Sequence, residues 1–107
     1  PEYRTVLSTL DSYIENLFSI IEVKRSEGEK WLICIVSDHG GEGTGHSGMY
    51  HDEDVRHTVM YVQSPGESFK NWHTSSQVDL APTILHFLGI TSSEFNCKTD
   101  GVSLIED

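Results

Sequence analysis

No apolar run in this sequence is longer than the six residues from Trp31 to Val36, far short of the roughly 20 needed to cross a bilayer as a helix. No basic segment followed by an apolar one marks a signal peptide at the start. The chain opens at Pro1, on the approach to a helix, and so reads as a processed or excised piece whose compartment is left open. Basic residues are scarce as well, with seven Lys and Arg against 17 Asp and Glu and a formal net charge of -10. So acidic a surface repels phosphate backbones and anionic headgroups, which argues against nucleic acid or a bulk membrane surface as partner. The only two cysteines, Cys34 and Cys97, do not make a disulfide framework. Cys34 lies inside the apolar run and reads as a small buried hydrophobe. Apolar residues make up 36% of the chain, lean for a self-sufficient core but too many for a disordered segment.

What is present is organised as one region, 1–107, with no internal repeat. Tyr3, Leu7, Leu10, Ile14, Leu17 and Ile21 recur at alternating spacings of four and three, which predicts an amphipathic helix over residues 3 to 23 laid against an apolar surface. Ser26 to Glu29 reads as the turn after it. Residues 31 to 36 read as a strand covered on both faces. A long polar, glycine-rich loop follows from Ser37 to His57, of a length that is usually functional or disordered. A second strand is expected over 57 to 63, ended by Ser64-Pro65-Gly66, with Phe69 and Trp72 as anchors in the next connection. A second helix is expected over 79 to 88, with Asp79 as N-cap and Gly89 just past its end. Asp100-Gly101 marks a turn in an otherwise aperiodic tail. Helix, buried strand, loop, strand, helix is an α/β order with the first strand expected in a parallel sheet. Two strands alone do not make a stable sheet, so its remainder is expected from elsewhere.

The chemistry concentrates between Ser37 and Gly48. Asp38 and His39 follow directly on the carboxyl end of the first strand, where open α/β sheets place their ligands. A carboxylate oxygen beside an imidazole nitrogen is an ordinary donor mixture for zinc. His46 stands seven residues beyond His39, on a glycine-rich stretch that can fold it back. Adjacent side chains diverge on extended backbone, so Asp38 and His39 meet one ion only at a bend, which Gly40-Gly41 would supply. The competing reading is a simple turn, since Asp, His and Gly are also common turn residues. His51, Asp52, Glu53, Asp54 and His57 look more like a charged loop than ligands. His73 and His86 are weaker candidates, and His86 on its helix reads as a partner for a carbonyl or water.

Residues 33 to 48, Ile-Cys-Ile-Val-Ser-Asp-His-Gly-Gly-Glu-Gly-Thr-Gly-His-Ser-Gly, resemble the metal-binding stretch of the alkaline phosphatase superfamily. The nearest branches are its type I phosphodiesterase, nucleotide pyrophosphatase and sulfatase-related members. The resemblance assigns Asp38 and His39 to the metal that contacts the nucleophile, and His46 to the second metal, although a Ser inserted at position 47 departs from that family's Gly-x-His-Gly. Val78 to Ile90 is similar to the family's Val-Asp-x-x-Pro-Thr helix, and Asp100-Gly101-Val102-Ser103-Leu104 to its trailing Asp-Gly-x-Ser-Leu. Each motif alone is moderate; their order covers nearly the whole chain.

The resemblance implies a fragment of an alkaline-phosphatase-like sandwich, with a mostly parallel central sheet flanked by helices. It also implies a divalent-metal cofactor, two zinc ions in the complete enzyme, and a small phosphate ester as substrate. The family's Ser or Thr nucleophile and its Asp-x-x-x-His are absent, and are expected in an N-terminal part of the same domain that these residues do not include. The chain therefore reads as the metal-binding C-terminal portion of a phosphoester hydrolase, carrying no catalytic residue of its own and inactive alone. His39 stands where sulfatases usually have Asn, and imidazole favours zinc or manganese over calcium, so phosphate esters are preferred over sulfate esters. The motifs do not separate hydrolases from phosphoryl-transfer relatives such as mutases. The alternative of another class is a non-catalytic metal-binding or protein-interaction domain on the same scaffold.

Overall fold

A computed structural model describes residues 2–41, 57–70, 75–91, 93, 94 and 98–107. The chain divides into two compact units, Pro1–Trp31 and Leu32–Asp107.

The first unit is one helix, α1 (Glu2–Ser26), with the turn that follows it. Glu2 sits in its first turn and Lys24 and Arg25 in its last, each sign at the end where the helix dipole favours it. The helix stops in a Schellman arrangement. Glu29 N–H reaches back to the Lys24 carbonyl at 3.1 Å and Gly28 N–H to the Arg25 carbonyl at 2.9 Å. Gly28 takes the left-handed φ of 94° that this closure demands. Arg25 then ties the exit, donating to Glu22 Oε1 at 2.6 Å and to the Trp31 carbonyl at 3.0 Å. None of the residues of α1 is buried, and Tyr3, Leu7, Leu10 and Leu17 of the apolar stripe are exposed. No helix among the described residues is long and apolar enough to cross a membrane.

The second unit holds β1 (Ile33–Val36), β2 (Met60–Gln63), a 3-10 turn at Gln77–Asp79 and α2 (Leu80–Phe87). The described residues do not form the expected mostly parallel sheet flanked by helices. The described residues form one two-stranded sheet, and its strands are antiparallel, Ile33 facing Gln63 and Val36 facing Met60. A parallel pair needs a crossover, usually a helix, and none stands between β1 and β2 among the described residues. Nor is β1 covered on both faces: Ile33 is buried, Cys34 and Ile35 are half-buried, and Val36 is exposed. An unbroken apolar run carries no information about strand direction, which is why the sequence pattern misled.

Partial burial in β1 pushes the Cys34 thiol above its ordinary range by desolvation of the thiolate. Since the thiolate is the nucleophile, Cys34 in the folded chain is expected to react with iodoacetamide at neutral pH several-fold more slowly than after denaturation. Peptide-resolved mass spectrometry reads this directly, and equal native and denatured rates would contradict it.

The C-terminal tail is locked to α2 and to residues 68–70. Phe69 pairs with Ile105 in an antiparallel bridge. Lys70 N–H donates to the Leu104 carbonyl and Glu106 N–H to the Ser68 carbonyl, both at 2.8 Å. Among the described residues the buried apolar side chains are Ile33, Val62, Leu104 and Ile105. Thr83 of α2 is fully buried. Its hydroxyl donates to the Asp79 carbonyl at 2.6 Å and accepts Leu104 N–H at 2.9 Å. Asp79, read from the sequence as the N-cap of α2, makes no cap bond to that helix. Its carboxylate instead accepts Ser76 N–H at 2.8 Å and Val102 N–H at 2.9 Å. The two later motifs, around Asp79-Thr83 and around Gly101-Leu104, are thus halves of a single clasp. Gly89 ends α2 as expected, with φ 76°.

Candidate functional site

The site is built at the carboxyl end of β1, where the ladder fails in a particular way. The next pair in register after Val36 and Met60 is Ser37 and Val59. Ser37 N–H donates to the Val59 carbonyl at 3.0 Å, as a continuing ladder requires. The return bond, from Val59 N–H, ends on Ser37 Oγ at 3.0 Å rather than on the Ser37 carbonyl. That carbonyl has turned to accept the carboxamide of Gln77 at 2.5 Å. The same Gln77 nitrogen also reaches the Asp38 carbonyl at 3.2 Å. The chain bends at Asp38, ahead of the Gly40-Gly41 position expected from sequence.

The bend brings the two donors to one side. Asp38 Oδ1 accepts His39 N–H at 2.9 Å, which fixes the carboxylate over the next peptide. His39 Nδ1 lies 2.6 Å from the Gly40 carbonyl. A carbonyl only accepts, so this bond puts the ring proton on Nδ1 and makes Nε2 the nitrogen that carries the lone pair in the neutral ring. That Nε2 lies 3.6 Å from Asp38 Oδ2. Two donors on one tetrahedral zinc, at about 2.1 Å each, stand roughly 3.4 Å apart. An imidazole held by a carbonyl through its other nitrogen is also the usual supporting arrangement for a metal ligand. Both side chains are open to solvent, Asp38 at 88% and His39 at 44%. Donor types, spacing and access therefore fit a divalent ion.

Two donors do not complete a site. His46, the third expected ligand, lies outside the described residues, as do His51, Asp52, Glu53, Asp54 and His73. Among the described residues no three His, Cys, Asp or Glu side chains are grouped to hold an ion. His57 is exposed. Gln77 is the member that sequence reasoning missed, because its partners are backbone carbonyls 40 and 39 residues away.

No protein-family model, curated protein or solved structure matches this chain.

A second polar cluster borders a cavity of about 420 Å³ between α2 and the tail, lined by Leu85, His86, Ile90 and Val102 among others. His86 Nδ1 lies 2.8 Å from Ser103 Oγ, and its Nε2 lies 3.8 Å from Asp107 Oδ1. The trio has the composition of a hydrolytic triad without its geometry. The His–Asp separation is beyond hydrogen-bond range, the Asp107 side chain is 98% exposed, and Ser103 Oγ already accepts Ile105 N–H at 3.2 Å. His86 here holds the tail, through a hydroxyl rather than the carbonyl or water expected.

Proposed function

We propose that the end of β1 forms part of a divalent-metal centre, and that this chain is the metal-binding portion of a phosphoester hydrolase. The observation that carries the reading is the 3.6 Å approach of His39 Nε2 to Asp38 Oδ2, with the ring's proton directed to the Gly40 carbonyl. His46 would complete the centre, or a neighbouring one. A bound divalent ion would polarise a phosphoryl oxygen and lower the pKa of an attacking hydroxyl. The chain's own residues hold and orient: Asp38 supplies a charged oxygen, His39 a nitrogen fixed in one tautomer, and Ser37 the ladder bond that anchors both. Ser37 Oγ accepts Val59 N–H and so serves the ladder. The attacking hydroxyl is assigned to another part of the domain, in keeping with the resemblance. Phosphate esters are preferred to sulfate esters because imidazole suits zinc and manganese better than calcium.

Zinc titrated calorimetrically into the full chain is expected to bind, and Asp38→Ala and His39→Ala are each expected to weaken it by at least about 10-fold. Wild-type affinity in His39→Ala would remove this residue from the centre. Manganese-loaded chain is expected to broaden the phosphorus resonance of inorganic phosphate. Metal binding without that broadening would favour a non-catalytic metal domain instead.

A further inference from the structure

We infer that Gln77 is the positioning residue of the proposed metal centre, an inference that rests on the metal reading of Asp38 and His39. A regular antiparallel ladder would carry the Val59–Ser37 return bond on the Ser37 carbonyl and leave the backbone extended, with adjacent side chains on opposite faces. Gln77 intervenes. Its carboxamide nitrogen draws the Ser37 and Asp38 carbonyls to one point, at 2.5 and 3.2 Å. Ser37 Oγ takes over the orphaned Val59 N–H. The displaced peptides carry Asp38 and His39, and with those peptides turned, Oδ2 and Nε2 come within 3.6 Å. The carboxamide is held in place from behind, since Asp79, two residues on, is buried and clasped to Ser76 and Val102 N–H. Gln77 itself is exposed, so its bonds add little to stability relative to water. Its effect is on direction.

The test compares Gln77→Met, which keeps the length and removes the donor, with Gln77→Lys, which restores donors at similar length. Zinc affinity, the visible spectrum of bound cobalt and the thermal melt are measured on the full chain. Gln77→Met is expected to lose about 10- to 100-fold in zinc affinity, as supporting residues of metal ligands do, and to alter the cobalt spectrum while melting like the wild type. Gln77→Lys is expected to recover most of the affinity. Undiminished zinc affinity in Gln77→Met, alongside loss in His39→Ala, would overturn the positioning role and leave the metal reading intact. Failure of the wild-type chain to bind zinc would overturn both. Loss of zinc in step with an early melt would make Gln77 a structural tie and likewise overturn the inference.

Discussion

Gly101→Ala is expected to destabilise the Leu32–Asp107 unit by about 3 kcal/mol, the upper end of overpacking costs. A β-carbon at this position would lie 2.1 Å from the Val78 carbonyl oxygen, 2.4 Å from its carbon and 2.7 Å from Asp79 nitrogen. All three atoms are backbone, so no rotamer change relieves the overlap. Val78 and Asp79 belong to the 3-10 turn, and moving them breaks the Asp79–Val102 bond that holds the tail. The substitution therefore opens the clasp as well as crowding it. Denaturant unfolding, with amide exchange at Val102 and Leu104, reads both consequences. Protected amides and an unshifted midpoint would mean that the tail does not lie against Val78.

Asp79→Asn is expected to cost about 2 kcal/mol or more, from the worth of hydrogen bonds to a charged group. The carboxylate uses its two oxygens on two different N–H groups, those of Val102 and Ser76. Asparagine has a single acceptor oxygen, so one of these donors would face an NH2 group. The residue is only 7% exposed, and water has little access to relieve the mismatch. Asp79→Glu keeps the charge but lengthens the arm, and is expected to recover only part of the loss. A melt of Asp79→Asn that overlays the wild type would show the carboxylate to be solvated instead.

Local patterns in the sequence carried far, and they failed where partners are distant. The alternating three–four spacing from Tyr3 to Ile21 declares α1, the turn at Ser26 to Glu29 its end and Gly89 the end of α2, because each rests on near neighbours. The strand at Ile33–Val36 was equally visible, but its antiparallel direction was not: an apolar run looks the same whichever way its neighbour travels. Asp79 reads from the sequence as the N-cap of α2, but it makes no cap bond to that helix, and one of the donors it does hold, Val102, lies 23 positions away with no local signature. Gly101 read as a turn, whereas its requirement comes from the close passage of Val78. Asp38 and His39, the proposed metal donors, are singled out in the sequence by their place after the strand. The bend that unites them depends on Gln77, whose type and neighbours gave no hint of it.

The divided ladder at Ser37 also bears on the order of folding. Its hydroxyl waits for Val59, 22 residues further on, and its carbonyl for Gln77, 40 residues on. Each contact closes a loop whose entropic cost rises with its length, with no local bond to offset it early. The helices can nucleate from their own sequences, but Asp38 and His39 acquire their orientation only when both loops have shut. Cation capture would then report the last event of assembly, and ion-dependent protection against exchange at the tip of β1 would appear after that of α2.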